Sequence, residues 1–451
     1  MAKPRKRFLC VECGSMQSRW LGRCPDCGSW DTLKEEKITR SASGPWNLPV
    51  EETQPAVPIH EVEPSAEQRL LSGIGELDRV LGGGLVPGSS LLIAGEPGVG
   101  KSTLLLQAAQ MISSRGLRFL YVSGEESAAQ VKLRAQRIGL SGDELYLLAE
   151  CEVQKIEEQI LRLAPAAVGI DSIQALRWHE LPSAAGSVIQ VREVAARLLA
   201  LARARGFPLL MVGHVTKDGA LAGPRLLEHM VDAALSFEGE RTHGLRILRG
   251  LKNRFGSTQE VGLFEMRSGG LQEVPDPSRL LLGDQCSTAP GSATAAILEG
   301  SRPLLVEIQA LVCPTIYGAP TRRVSGLDAG RLSMLAAVLE KRLGIPLGDR
   351  DLYANAVGGV RITSTAADLA LVAALLSSIQ DRTIPSQRIY TGEVGLLGEV
   401  RSVVGIERRL EEAARLGFTC ACIPAGASPE KIPEGISILE VQDLAALQES
   451  L

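Results

Sequence analysis

Apolar positions in the middle of the chain come in short blocks whose period changes from one block to the next. Leu91-Leu92-Ile93-Ala94, Phe119-Leu120-Tyr121-Val122, Ala166-Ala167-Val168-Gly169-Ile170 and Leu209-Leu210-Met211-Val212 are continuous apolar runs. Such runs are expected of strands buried on both faces. Helical periods fall between them: Val188, Val191, Val194, Ala195, Leu198, Leu201 and Ala202 share one face, with Arg192, Glu193, Arg197 and Arg203 largely off it. This alternation, from residue 91 to about 270, predicts a parallel sheet covered by helices on both sides. Leu245 to Leu251 departs from it by alternating apolar residues with Arg246 and Arg249, which predicts a strand with one cationic face.

Either side of this block the pattern changes. Residues 35–64 are polar and punctuated by Pro45, Pro49, Pro55, Pro58 and Pro64, the composition of an extended linker. Leu70 to Leu81 reads as a short helical element, and Gly82-Gly83-Gly84 and Pro87-Gly88 turn the chain into the strand at 91. Beyond about residue 286, segments 293–300 and 304–312 read as paired strands. Helical faces follow at Leu332, Leu335, Ala336, Val338 and Leu339, then at Leu369, Val372, Ala373 and Leu376. Residues 389–401 look like a hairpin, and Leu410, Ala413, Ala414 and Leu416 lie on a further helix.

The chain of 451 residues is too long for one core and should hold two or three domains. Its 45% hydrophobic and 22% charged content is ordinary for a soluble protein, and a net charge of −4 confines any nucleic-acid surface to a local patch. The basic start, Lys3 to Arg7, is followed by Phe8-Leu9 and then Cys10, so no apolar signal core is present, and no uncharged run is long enough to span a bilayer. A cytoplasmic protein is expected, with its nine cysteines as reduced thiols or metal ligands.

Candidate chemistry centres on Gly95-Glu96-Pro97-Gly98-Val99-Gly100-Lys101-Ser102-Thr103. The glycines let successive N–H groups turn toward phosphate oxygens, and the following helix adds the positive end of its dipole. Lys101 supplies charge to the β- and γ-phosphates and Ser102 a hydroxyl to Mg²⁺, so ATP or GTP is the expected ligand. Asp171, ending an apolar strand, completes the magnesium site. Attack on the γ-phosphate needs an oriented water. Glu125 is the favoured carboxylate for that work and Glu126 the next. His214, at another strand tip, is either a core-edge histidine or a γ-phosphate sensor. The glycine-bearing basic stretch 216–225 is a candidate mobile loop, and Lys252-Asn253-Arg254-Phe255-Gly256 suits phosphate contact or base stacking. At the N-terminus Cys10-x-x-Cys13 and Cys24-x-x-Cys27, ten residues apart, supply four thiolates for a closed structural zinc site, with Trp20 and Trp30 as apolar cover.

Taken in order, the four cysteines, the phosphate loop, Tyr121-Val122-Ser123-Gly124-Glu125-Glu126-Ser127 and the Lys252 to Gly256 block resemble the bacterial RadA (Sms) family over essentially the whole chain. The resemblance implies a zinc finger at 1–34, a linker at 35–64, a RecA-like ATPase domain at 65–275 and an α+β domain similar to that of Lon proteases at 286–451. It also implies a DNA-dependent ATPase of recombinational repair, a homo-hexameric ring that threads single-stranded DNA and promotes branch migration alongside the recombinase RecA. Lys252 and Arg254 would serve catalysis at ATP bound to a neighbouring subunit. In the Lon-like domain the serine and lysine of the protease fall at about Ala366 and Glu407, neither of which can do that work. The domain is then a scaffold presenting Arg361, Arg382, Arg388, Arg401, Arg408 and Arg409, which are candidate contacts to duplex DNA. Two other classes compete: a KaiC-like signalling ATPase, which shares the paired glutamates and the 72–88 lead-in, and an ATP-dependent protease.

Overall fold

A computed structural model describes residues 7–10, 16–17, 19–25, 28–30, 32–36, 58, 69–140, 142–214, 224–239, 245–282, 289–316 and 318–451. It divides into two units. The first holds Met1–Glu238, Leu248–Thr258 and Ser268–Leu271; the second holds Gly239–Ile247, Gln259–Arg267 and Gln272–Leu451.

The first unit begins with a small antiparallel sheet of β1 (Arg7–Cys10), β2 (Met16–Gln17) and β3 (Leu33–Glu36), in the order β2-β1-β3. The helical lead-in is α1 (Gly75–Leu81), stopped by Gly82 in the left-handed conformation. Then come β4 (Ser90–Gly95), α2 (Lys101–Ser113), β5 (Phe119–Ser123), α3 (Ala128–Arg137), β6 (Leu145–Ala149), α4 (Val153–Leu163), β7 (Ala167–Asp171), α5 (Val188–Arg205), β8 (Leu209–His214), α6 (Pro224–Met230) and β9 (Ala233–Glu238). The strands pair in the order β9-β4-β8-β7-β5-β6, and every pairing is parallel. The sheet predicted from the apolar runs is therefore present. Every residue of β4, β5 and β7 is buried, as helices on both faces require.

The chain passes between the units through β10 (Leu245–Asn253), β11 (Val261–Arg267) and β12 (Gly270–Glu273). β10 is a strand as its pattern predicts, but its cationic face is incomplete. Arg246 is buried, and its guanidinium turns back to donate to the carbonyl of Leu245 at 2.9 Å.

The second unit adds α7 (Pro277–Leu282), β13 (Ser292–Glu299), β14 (Arg302–Pro314), β15 (Arg322–Ser325), α8 (Ala329–Leu343), β16 (Arg350–Ala356), α9 (Asp368–Gln380), β17 (Arg388–Tyr390), β18 (Glu393–Val394), β19 (Val400–Arg401), α10 (Ile406–Arg415), β20 (Cys420–Pro424), β21 (Ser437–Val441) and α11 (Leu444–Ser450). Seven strands form a mixed sheet in the order β15-β16-β14-β13-β17-β20-β21. β13 and β14 make the expected pair, and it is antiparallel. Their side chains alternate with period two: Ala293, Ala295 and Ile297 face the core of α8, α9 and α11, while Ala296 faces α10. The hairpin expected over 389–401 is shorter than its pattern. Ile389 and Tyr390 belong to the main sheet through β17, and only β18 and β19 form the ribbon. Asp368, at the start of α9, holds that ribbon by accepting from Val394 N–H at 3.1 Å and from Nε and Nη2 along one edge of the Arg331 guanidinium.

Of the arginines expected on this unit's surface, Arg361, Arg382, Arg401 and Arg408 are exposed and Arg388 is half-buried. Arg409 is not a surface residue. It is 3% exposed and donates to the carbonyls of Ala296 and Val404, because Ile406, Leu410 and Ala413 press its face of α10 into the core.

Candidate active site

The carboxyl ends of the parallel strands converge on one edge of the first unit's sheet. Register places Gly95, at the end of β4, opposite His214 at the end of β8, and Ser123, at the end of β5, opposite Asp171 at the end of β7. This is the edge at which open α/β sheets bind ligands. The segment from Gly95 to Gly100 leaves β4 and enters α2. Glu96, Pro97 and Gly98 are exposed, and Val99 is buried beneath the loop. Gly98 (φ 84°) and Gly100 (φ 118°) adopt conformations closed to other residues, and a Cβ on Gly95 would meet the Phe237 carbonyl oxygen at 2.3 Å. Ser102 and Thr103 are half-buried in the first turn of α2, whose unpaired amides face the loop.

Lys101 is 3% exposed, and its ammonium donates to the carbonyls of Gly95 (2.7 Å) and Glu96 (2.8 Å). Burial lowers its pKa to about 8, against the opposing charges of Asp171, Glu125 and Glu96. Asp171 is 9% exposed. Its Oδ1 accepts from Ser102 Oγ at 3.0 Å, and its Oδ2 accepts from the Tyr121 hydroxyl at 2.5 Å with Arg134 Nη1 3.6 Å away. Burial, followed by the Asp171 charge, raises the Tyr121 pKa well above its ordinary value, so the phenol remains a proton donor. The Ser102 hydroxyl and the Asp171 carboxylate, side by side at the loop, are the donor set that Mg²⁺ prefers, hard oxygens that leave room for phosphates.

The paired glutamates diverge. Glu125 accepts from Ser172 Oγ and lies 3.6 Å from His214 Nε2. Glu126 pairs with Arg134, and its backbone is held on both sides by Ser123 Oγ. Burial and then the Lys101 charge lower the His214 pKa, favouring a neutral ring. Residues 215–223, which include most of the candidate mobile loop, lie outside the described residues, and α6 begins at Pro224.

Lys252 and Arg254 are not at this edge. Lys252 Nζ donates to the carbonyls of Glu228 (2.9 Å) and His229 (3.1 Å), and Arg254 Nη1 pairs with Asp232 at 3.0 Å. Asp232 accepts from the Oγ and N–H of Ser90, the first residue of β4. Asn253 donates to Val80 O, and Arg69 donates to Phe255 O, so the whole Lys252 to Gly256 turn docks at the amino ends of the strands. Six residues of β4 separate the two edges, roughly 16 Å at parallel-strand rise.

Cys10 and Cys24 are buried in one cluster with Leu33. Cys24 opens a tight turn in which Gly28 N–H donates to its carbonyl at 2.9 Å, with Gly28 at φ 74°. Two buried thiols, one from a strand end and one from a glycine turn, fit a tetrathiolate zinc site; Cys13 and Cys27 lie outside the described residues. Trp20 (54%) and Trp30 (73%) are exposed rather than serving as cover, and Arg23 stands 5.8 Å from the Trp30 ring centre. In the second unit Ala366 is buried in the short turn Thr365–Ala367 that precedes α9, and Glu407 sits in the first turn of α10. Among the described residues, no helix is long and apolar enough to cross a membrane.

Tyr121, Arg134, Ser172 and Asp232 were not singled out by sequence. Tyr121 sits inside an apolar run that reads as core. Arg134 and Asp232 have no spacing that links them to the loop.

Residues 57–220 match the model of an AAA domain, and residues 8–35 match that of a rubredoxin metal binding domain. The chain is 47% identical over 456 residues to "DNA repair protein RadA" of Bacillus subtilis, with all of both chains covered. It is 46% identical over 449 residues to the protein of that name from Halalkalibacterium halodurans, with 98% of each covered. It is 46% identical over 456 residues to that of Listeria monocytogenes, covering 100% and 99%. Among solved structures, a KaiC-like protein of Pyrococcus horikoshii covers 46% of this chain with all of its own length, at 21% identity and a TM-score of 0.39.

Proposed function

The chain belongs to the RadA family of DNA repair proteins, and on that premise we propose that it is a DNA-dependent motor whose ATP sites are completed between subunits of a ring. Family and AAA domain together make it an ATP-hydrolysing enzyme. Hydrolysis drives a homo-hexamer on single-stranded and branched DNA, promoting branch migration with the recombinase RecA in the cytoplasm.

In this reading the amides of Gly95 to Ser102 and the Lys101 ammonium hold the β- and γ-phosphates. Ser102 and Asp171 hold Mg²⁺, which when bound neutralises phosphate charge. Glu125, nearest His214 and Ser172, orients the attacking water, and His214 senses the γ-phosphate. Cys10, Cys13, Cys24 and Cys27 hold zinc, and the zinc unit handles DNA and partners. The C-terminal domain, with Ala366 and Glu407 at the protease positions, is a non-proteolytic scaffold. The 216–225 stretch moves DNA with each cycle.

The observation that carries the ring is the placement of Lys252 and Arg254 at the strand edge opposite their own phosphate loop. A phosphate they touch belongs to another subunit or to DNA. Subunit mixing tests this. Lys101→Ala and Lys252→Ala proteins are each inactive in the proposal, but a Lys252→Ala loop beside a Lys101→Ala neighbour rebuilds a complete site. Random equal mixing places that pair at roughly one interface in four, so about a quarter of wild-type ATPase returns. A mixture no more active than its components refutes shared sites. ATPase that single-stranded DNA does not stimulate, with no DNA binding at low salt, refutes the motor.

A further inference from the structure

We propose that Arg134 is a positioning residue that assigns separate tasks to the two adjacent glutamates, holding Glu126 off the nucleotide so that Glu125 alone faces it. The inference rests on the reading of this site as the one that hydrolyses ATP.

Glu125 and Glu126 follow β5 directly, where a peptide turn sends neighbouring side chains in different directions without deciding which meets the phosphates. Three contacts decide it. The Ser123 hydroxyl donates to the Glu126 carbonyl at 2.8 Å and accepts from the Glu126 N–H at 3.1 Å, which fixes the backbone at the second glutamate. The next residue, Ser127, caps α3 in a reciprocal capping box with Gln130, so the helix starts at a defined place and angle. Two turns along that helix, Arg134 reaches back. One side of its guanidinium pairs with Glu126 Oε1, and the other lies 3.6 Å from Asp171 Oδ2.

The result is a sorted set of carboxylates. Asp171 Oδ2 is taken by Tyr121 on the side where Arg134 stands, which leaves Oδ1 with Ser102 at the loop. Glu126 is paired with a largely buried cation. Glu125 remains beside Ser172 and His214, with half its side chain open to solvent. The Lys101 ammonium feels Asp171, Glu125 and Glu96, whereas the cation on Glu126 is Arg134. Without Arg134, Glu126 is an unrestrained carboxylate that competes with Glu125 for the attacking water beyond the γ-phosphate, a position ADP does not fill.

The test is a set of variants of the full chain, each assayed for steady-state ATPase and for binding of a fluorescent ADP analogue. Arg134→Gln lowers kcat about 10–100-fold, the cost of misplacing a catalytic group, while ADP affinity changes less than about twofold. Arg134→Lys, which keeps the charge, recovers most of the rate. Adding Glu126→Gln to Arg134→Gln also recovers rate, because the carboxylate that needed restraint is gone. Arg134 as a mere packing residue of α3 predicts no such recovery. A double variant as slow as Arg134→Gln, or an Arg134→Gln protein that loses ADP binding together with turnover, overturns the assignment. Hydrolysis that persists in Lys101→Ala overturns the site itself, a distinct result.

Discussion

Lys101→Met separates what the phosphate-loop lysine does for function from what it costs the fold. In the nucleotide-free protein this lysine is 3% exposed, with a pKa lowered from 10.5 to about 8 chiefly by burial. Between those values the unfolded chain binds a proton that the folded chain has released, so stability must rise with pH across that window. Below pH 8 both states carry the charge and the full desolvation penalty is present, about 3 kcal/mol. By pH 10 most of it has been relieved. Methionine keeps the length of the side chain and does not titrate. The difference in unfolding free energy, wild type minus Lys101→Met, should therefore grow by about 2–3 kcal/mol from pH 7 to pH 10. Groups that titrate in both proteins cancel in that difference. Urea titration in EDTA without nucleotide, followed by the fluorescence of Trp178, reads the correct unit, because Trp178 is 7% exposed in its core. Parallel pH profiles for the two proteins would refute the idea that Lys101 is buried and depressed. A drop in the difference with rising pH would show that its pKa is raised, as an ion pair would require.

Gly95→Ala places a Cβ at 2.3 Å from the Phe237 carbonyl oxygen and should cost at least about 1–3 kcal/mol from overpacking, measured by the same titration, with nucleotide binding lost in parallel. Arg409→Leu should destabilise the second unit by about 1–3 kcal/mol in a urea titration followed by far-UV circular dichroism, since the carbonyls of Ala296 and Val404 lose a buried donor, and leave DNA affinity at low salt unchanged. Arg408→Ala, on the exposed neighbour, should do the reverse in the same two assays. Asp232→Ala removes the acceptor shared by Ser90, Arg254 and Arg203; it should lower ATPase turnover with ADP affinity retained, because it releases the Arg254 edge and not the loop edge.

The parallel sheet of the first unit was legible because each of its inner strands is buried on both faces and so is apolar without interruption. The second unit was legible only in part. β13 and β14 are long and adjacent in sequence, so their pairing needed no tertiary information. β17, by contrast, is three residues lying between β13 and β20, both remote in sequence, and nothing local separates it from the ribbon that follows. Arg409 illustrates the same limit. Arginine is a surface residue by default, and its burial depends on which face of α10 meets the sheet, one helical step from the exposed Arg408.

At the candidate site the residue types were legible, while the directions were not. The order Lys101, Glu125, Asp171, His214 follows from strand ends, and parallel strands put all their carboxyl ends on one edge, so register did bring these four together. Lys252 and Arg254 come after a further strand and carry no mark of which edge they reach. Bonds to residues distant in sequence, such as those of Asp232 with Ser90 and Arg254, show that they stand at the opposite one. Glu125 and Glu126 pose the same problem on a smaller scale, since adjacent carboxylates are chemically equivalent until a third group takes one of them. That group is Arg134, eight residues on and across a capped helix turn. Both unknowns come down to which way a charged side chain points, and a contact from a residue distant in sequence answers each. One such contact separates the glutamates within a subunit. The other separates two ends of a single strand, leaving Lys252 and Arg254 at the edge away from their own phosphate loop.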